Sequence, residues 1–231
     1  MNQFAFLFAL LLTPEAPYDR LDQANPEYEA APMTYERCID LVNANPDEGR
    51  LQADRWLTAG GGPRAKHCLA AADVATGLPK LAAIRLTELG ASPEAGDPLE
   101  RARIFQQAAT VWLDAGDAEQ ALEAIDAGLG LAPGAPELQL TQGLAYAAAE
   151  RWQRSIDAIT AAENAGVSTV TGLIARANGR MALLQHRQAA EDVVAALKID
   201  PFNVDALVIR GRLAQVGVEI AASYAKQSKS K

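Results

Sequence analysis

The sequence is poor in the residues that build most catalytic and metal sites. Its 231 residues include only two histidines and two cysteines, and these do not have the spacing of zinc ligands. His67 and Cys68 are adjacent, but neighbouring residues of a helix point about 100° apart and do not face each other. The glycines at 60–62 precede Pro63 and lack the lysine and hydroxyl residue of a phosphate-binding loop. The sequence therefore predicts neither an enzyme nor a cofactor.

Basic charge and long apolar runs are also scarce. The chain has 21 lysines and arginines against 29 acidic residues, a formal net charge of -8. Nucleic-acid binders carry a basic face, so we expect no nucleic-acid partner. An apolar run at residues 4–12 is far shorter than the roughly 20 residues of a spanning helix, so we expect no membrane span.

The apolar run at 4–12 has the length of the central region of a signal peptide. Residues 1–16 are therefore predicted to direct the chain to the periplasm or to secretion. No basic residue precedes the run, and no small-x-small cleavage pattern follows it. The alternative is a cytoplasmic protein whose N-terminal helix packs on the domain. Residues 17–33 are interpreted as an acidic linker. They belong to a segment, residues 13–60, whose ten acidic and four basic residues serve solubility or, alternatively, attract basic partners.

A repeat with a period of about 34 residues dominates the rest of the chain. Pro133 and Pro201 lie two periods apart, and Gly143 and Gly211 have the same separation. Such a period is typical of α-solenoids, in which each helical hairpin stacks on the next copy to bury its apolar face. Three columns recur at steps of one period: Ala121, Ser155 and Ala189; Ile125, Ile159 and Val193; Gly128, Ala162 and Ala196.

These columns resemble the tetratricopeptide repeat (TPR), a hairpin of two helices, A and B. Copies are placed at residues 102–135, 136–169 and 170–203, and a fourth at 63–95 aligns once a five-residue insertion within 91–98 is allowed. The resemblance implies an all-α, right-handed solenoid over residues 34–224, with 204–224 as a capping helix and 225–231 as a disordered tail. Two short helices are expected first, at 34–44 and 47–59, the second capped by Asp47. The best copy matches the pattern at Phe105, Ala109, Trp112, Gly116, Ala121, Ile125, Gly128 and Pro133.

The two cysteines, Cys38 and Cys68, lie on the first and third predicted helices. In a stack of hairpins each helix touches the second one after it, so the geometry allows a disulfide. Such a bond would suit an exported protein. Two buried free thiols are the alternative.

The resemblance also implies a function, the capture of a peptide or partner segment in a concave groove. The alternative is a structural role through self-association. In TPR proteins the second, fifth and ninth positions of each A helix face the groove. Here Leu140, Leu144, Ile174 and Val208 are expected to form an apolar strip, although each could instead pack against a neighbouring A helix. The carried-over positions are Arg64, His67 and Ala71; Arg103, Gln106 and Thr110; Glu137, Leu140 and Leu144; Thr171, Ile174 and Asn178; Asp205, Val208 and Arg212.

Overall fold

Eleven α-helices and one short 3₁₀ helix form the part of the chain that the structure describes. The structure, a computed structural model, describes residues 32–220. The predictions for residues 1–16, almost all of 17–33, and 225–231 lie outside this range. No strand occurs within it, and the predicted all-α solenoid is confirmed. The helices are α1 Tyr35–Ala44, α2 Pro46–Thr58, α3 Gly62–Ala75, α4 Pro79–Ala91, the 3₁₀ helix Pro93–Ala95, α5 Pro98–Asp114, α6 Ala118–Leu131, α7 Pro136–Ala148, α8 Trp152–Asn164, α9 Val170–Ala182, α10 His186–Ile199 and α11 Val204–Gln215.

The hairpins stack in chain order. Each helix packs on the next, and α1 also contacts α3, α5 contacts α7, α7 contacts α9, and α9 contacts α11. All nine residues of the three repeat columns are buried, from Ala121 to Ala196. The repeat period thus marks the side chains that fill the space between helices, which is why small and branched apolar residues recur there.

The first two helices begin and end within a residue of the expected bounds, but a different residue caps α2. Asn45, not Asp47, is the N-cap, and its side chain accepts a hydrogen bond from the Glu48 amide. Pro46 follows at the first helical position, where its missing N–H leaves no bond unmade. The prediction for Asp47 was wrong because this proline starts the helix one residue earlier.

Every complete A–B hairpin turns through a residue in the left-handed region. In the α3–α4 and α5–α6 hairpins this residue is a glycine, Gly77 with φ of 78° and Gly116 with φ of 77°. At the equivalent points of the next two copies, Glu150 and Leu184 have φ of 55° and 59°. A residue with a side chain pays about 1 kcal/mol or more in this region. The packing of the hairpin therefore holds Glu150 and Leu184 in a backbone conformation that these residues do not favour.

The insertion and the last helix depart from the regular hairpin. The insertion forms the 3₁₀ helix Pro93–Ala95, which contacts α3, α4 and α5. The final helix, α11, ends at Gln215 and not near residue 224 as expected. Gly217 has φ of 83°, which ends the helix. Val218 and Ile220 then pack against the core formed by α9, α10 and α11.

A disulfide joins Cys38 of α1 to Cys68 of α3, with the two Cα atoms 6.3 Å apart. Both cysteines are fully buried. The bond links the first helix to the first A helix of the repeats. None of the helices within residues 32–220 has the length and hydropathy that a membrane span requires.

Candidate functional site

A groove on the exposed face of α9 brings together four of the predicted site residues. It encloses about 580 Å³ between α7, the start of α8, α9 and α11. We call it the α9 groove. The predicted residues in it are Thr171, Ile174, Asn178 and Arg212, and the other lining residues are Ala147, Trp152, Ala175, Met181 and Ala182.

The α9 groove combines an apolar floor with two unused polar groups. Ile174, Met181 and Trp152 are the largest apolar side chains that line it. Asn178 is half-buried and makes no side-chain hydrogen bond within residues 32–220, and Arg212 makes none there either. An amide and a guanidinium in this position can donate hydrogen bonds to a carbonyl or carboxylate. The groove therefore suits an apolar side chain beside a peptide or acidic group.

α9 is held in place from the side opposite the groove. Arg176 donates to the carboxylate of Asp192 on α10 from Nε at 3.0 Å and from Nη2 at 2.7 Å. Its Nη1 donates to Glu163 and to Thr160 on α8. Burial raises the pKa of Asp192, and the hydrogen bonds from Arg176 act in the opposite direction. Burial lowers the pKa of Arg176, but its hydrogen bonds to Asp192 and Glu163 and the charges of these two carboxylates together raise it, so Arg176 stays charged.

The other residues of the predicted apolar strip are not part of the α9 groove. Leu140 packs over Gly172, where an added Cβ would lie 2.7 Å from the Leu140 Cδ1 atom. It lines a narrow crevice with Ile159 and Val167, because the missing side chain at Gly172 leaves room between α7 and α9. Leu144 is half-buried, and Val208 is 47% exposed on α11.

The predicted residues on α5 lie away from the α9 groove as well. Gln106 donates from Nε2 to the Glu137 carbonyl at 3.2 Å and to the Thr141 hydroxyl at 3.1 Å, which joins α5 to α7. The Thr110 hydroxyl donates to the Gln106 carbonyl in its own helix. Arg103 is exposed. Gln106 therefore serves helix packing in this structure.

Arg64 and His67 line a second pocket, of about 320 Å³, beside the insertion. His67 Nε2 lies 2.7 Å from Gln107 Oε1, and its Nδ1 lies 2.9 Å from the Tyr35 hydroxyl, so the ring is hydrogen-bonded on both sides. Burial, followed by the charge of Glu36, raises the pKa of Tyr35, which keeps the phenol neutral. Arg64 and His67 thus lie in a pocket separate from the α9 groove, and the predicted residues on α5, together with Leu140, Leu144 and Val208, lie in neither.

Trp152 and Met181 are groove residues that the sequence analysis missed. Trp152 opens a B helix, whereas the carried-over positions all lie on A helices. Its equivalents one period before and one period after are Ala118 and His186, so no column of the repeat marks it. A bulky aromatic side chain at this one copy was the available signal.

Comparison with solved structures places the fold, although no protein-family model and no curated protein matches the chain. YrrB, described as a TPR protein with an unusual peptide-binding site, has a TM-score of 0.60 at 14% identity over 80% of this chain and 95% of its own. MamA from Desulfovibrio magneticus RS-1 has a TM-score of 0.58 at 17% identity over 74% and 93%.

A thermophilic TPR protein of Thermus thermophilus has a TM-score of 0.54 at 20% identity, over 79% of this chain and 98% of its own. At these identities the likeness concerns the fold. Together with the buried repeat columns, it shows that the chain has the fold of a TPR protein.

Proposed function

We propose that the chain is a non-catalytic interaction module that holds a segment of a partner protein in the α9 groove. The observation that carries this proposal is the pairing of an apolar floor at Ile174 with the unused hydrogen-bonding groups of Asn178 and Arg212. A repeat scaffold fixes such a surface through packing that lies elsewhere, on the far side of α9. The favoured ligand is an extended or helical peptide with an apolar side chain next to an acidic one.

A library of random peptides displayed on phage tests this proposal. We expect enrichment of peptides that pair an apolar with an acidic residue. Ile174→Glu should weaken their binding about tenfold or more, because it places a charge on the apolar floor. Ile84→Glu is the matched control, since Ile84 is 44% exposed on α4 and lies outside the groove. Failure to enrich peptides, or equal losses in the two variants, would contradict the proposal.

An exported location is proposed with this function. The Cys38–Cys68 disulfide supports it, since structural disulfides persist in oxidising compartments such as the periplasm. The apolar run at residues 4–12 points the same way. Fractionation of cells that express the full chain, with mass spectrometry of the thiols without reduction, tests this. A cytoplasmic protein with two free thiols would contradict it.

Self-association is a second candidate function, which one observation favours. The C-terminal end of the described chain carries the most exposed apolar side chains, including Phe202 at 85% and Val204 at 71% exposure. Large exposed apolar side chains that cluster in one region can mark an interaction site.

A further inference from the structure

The exposed apolar side chains of the described residues are concentrated at the C-terminal end. Of thirteen large exposed apolar residues, eight lie between positions 183 and 216. The four that exceed half exposure are all among these eight. The eight are Leu183, Leu184, Ile199, Phe202, Val204, Leu207, Val208 and Val216.

Helix α11 presents several of these residues as one stripe. Its core side holds Ala206, Ile209 and Leu213, all buried. The opposite side carries four residues that follow one another at steps of three, one and three positions, a spacing that places them on one face of the helix. The stripe consists of Val204, Leu207, Val208 and Gly211, all exposed.

The equivalent stripe on the preceding A helix is partly covered. Leu173 and Ala177, which lie one period before Leu207 and Gly211, are 3% and 0% exposed. At Gly211 an added Cβ would meet no atom of the described residues within 4 Å. The α11 stripe is therefore a stacking surface of the repeat on which no described helix packs, although Glu219 and Ile220 line a cavity of about 430 Å³ together with its Leu207 and Gly211.

Two opposite charges flank the stripe on the same side. Asp205 and Arg212 are exposed and lie seven residues apart, which is about 10.5 Å along the helix. Neither takes part in an ion pair among residues 32–220. When a twofold axis perpendicular to both helices relates two antiparallel copies of α11, the flank with Asp205 and Arg212 lies on the same side of the interface in each copy. This arrangement therefore brings Asp205 of one copy opposite Arg212 of the other, twice.

We propose that α11 is the interface of a homodimer in which the α11 helices of two copies pair antiparallel along this stripe. This proposal deepens the self-association candidate and does not require a peptide in the α9 groove, although Arg212 belongs to both surfaces. The absence of a side chain at Gly211 lets the two helices approach closely. Because a stable dimer buries about 800 Å² per partner and a single helix face offers less, the dimer is expected to be reversible.

Sedimentation equilibrium over a wide range of protein concentration tests the proposal. The full chain should change from monomer to dimer as concentration rises, whereas Val204→Glu should remain monomeric. Val204 lies outside the α9 groove, so loss of dimer and loss of peptide binding are separable. Leu51→Glu is the matched control, because Leu51 is 46% exposed on α2, and it should dimerise normally. A chain that stays monomeric at all concentrations, or a dimer that survives Val204→Glu, would overturn the proposal.

A charge exchange tests the antiparallel arrangement itself. Asp205→Arg alone and Arg212→Asp alone should each weaken the dimer about tenfold, because each places like charges opposite one another. The double variant, Asp205→Arg with Arg212→Asp, should regain most of the lost affinity. A double variant that is no better than the single ones would overturn the arrangement.

A shortened chain that ends at Ile220 tests whether a second copy or residues 221–231 of the same chain cover the stripe. If a second copy covers α11, this shorter chain should dimerise as the full chain does. A monomeric full chain with a dimeric shorter chain would show that residues 221–231 cover α11 in the same molecule. Loss of the dimer in the shorter chain would show that these residues form the interface. Either result would overturn the proposal.

Discussion

The central and the outer repeats fill one position of helix A in different ways. In the two central copies it holds the aromatic side chains of Trp112 and Tyr146. In the copy before them the aligned residue is Asp73, and in the copy after them it is Arg180. Asp73 is fully buried and Arg180 is largely so, with 16% of its side chain exposed. An ion pair thus stands in each outer repeat where the central repeats pack an aromatic ring.

The two ion-paired clusters differ in how much water reaches the arginines. Asp73 accepts from Nε of Arg50 and of Arg85, both at 2.7 Å, and these arginine side chains are 37% and 24% exposed. Asp192, which pairs with Arg180 at 2.8 Å, also binds Arg176, whose side chain is only 6% exposed. The N-terminal cluster therefore joins three helices with arginines that can return to solvent, whereas the C-terminal cluster holds one that cannot.

This difference predicts unequal losses when each aspartate is removed. Asp192→Ala should lower the free energy of unfolding by about 3–5 kcal/mol, because it leaves the buried Arg176 guanidinium with only the partly exposed Glu163 as a counter-ion. Asp73→Ala should cost less, about 1–3 kcal/mol, because Arg50 and Arg85 can turn toward water. Urea denaturation of the two variants, followed by circular dichroism, measures both losses. An equal or larger loss of stability in Asp73→Ala would contradict the explanation that the buried guanidinium of Arg176 causes the larger cost.

The N-terminal end has a covalent link that the C-terminal end lacks. Replacing both Cys38 and Cys68 by alanine should lower the free energy of unfolding by about 3–4 kcal/mol, as expected for a loop of 30 residues. Reduction of the unaltered chain should give a similar loss, and the variant should not respond to reductant. Thermal unfolding with and without reductant measures this. A variant that is still sensitive to reductant would show that the effect does not come from this bond.

The repeat period predicted the fold because it marks packing, which recurs from copy to copy. Ile125, Ile159 and Val193 follow one another at equal steps and are all buried for the same reason. The ion-paired clusters do not recur, so the period is silent about them. Arg180 was visible as a departure from the aromatic column, but its partner Asp192 lies on another helix and no spacing rule connects the two.

Only part of the candidate site could be predicted, because the repeat register gives the positions of residues but not the packing of their side chains. Ile174, Asn178 and Arg212 follow the register of A helices and meet in the α9 groove as their positions imply. Leu140 occupies an equivalent register position but packs inward, because the neighbour that faces it is Gly172. The register of the repeat fixes the backbone position of a side chain, whereas the size of the residues on the neighbouring helix decides which surface that side chain packs against.

The smallest expected effects compare glycines at the two ends. Gly49 lies on α2, where an added Cβ would come within 2.6 Å of the Val42 Cα atom and 2.7 Å of its amide nitrogen. These are backbone atoms that can move only with α1, and α1 is tied to α3 by the disulfide. Gly49→Ala should therefore lower the free energy of unfolding by about 1–3 kcal/mol.

Gly211 on α11 is the matched glycine at the open end. Gly211→Ala should raise the free energy of unfolding by up to about 1 kcal/mol, since alanine favours a helix interior and nothing in the described chain opposes its methyl group. Denaturant titrations at low protein concentration, where the chain is monomeric, measure both variants. Destabilisation by Gly211→Ala under these conditions would mean that a part of the same molecule already covers this face. The stripe would then be unavailable to a second copy, and the contrast between a tightly packed N-terminal end and an open C-terminal end would fail.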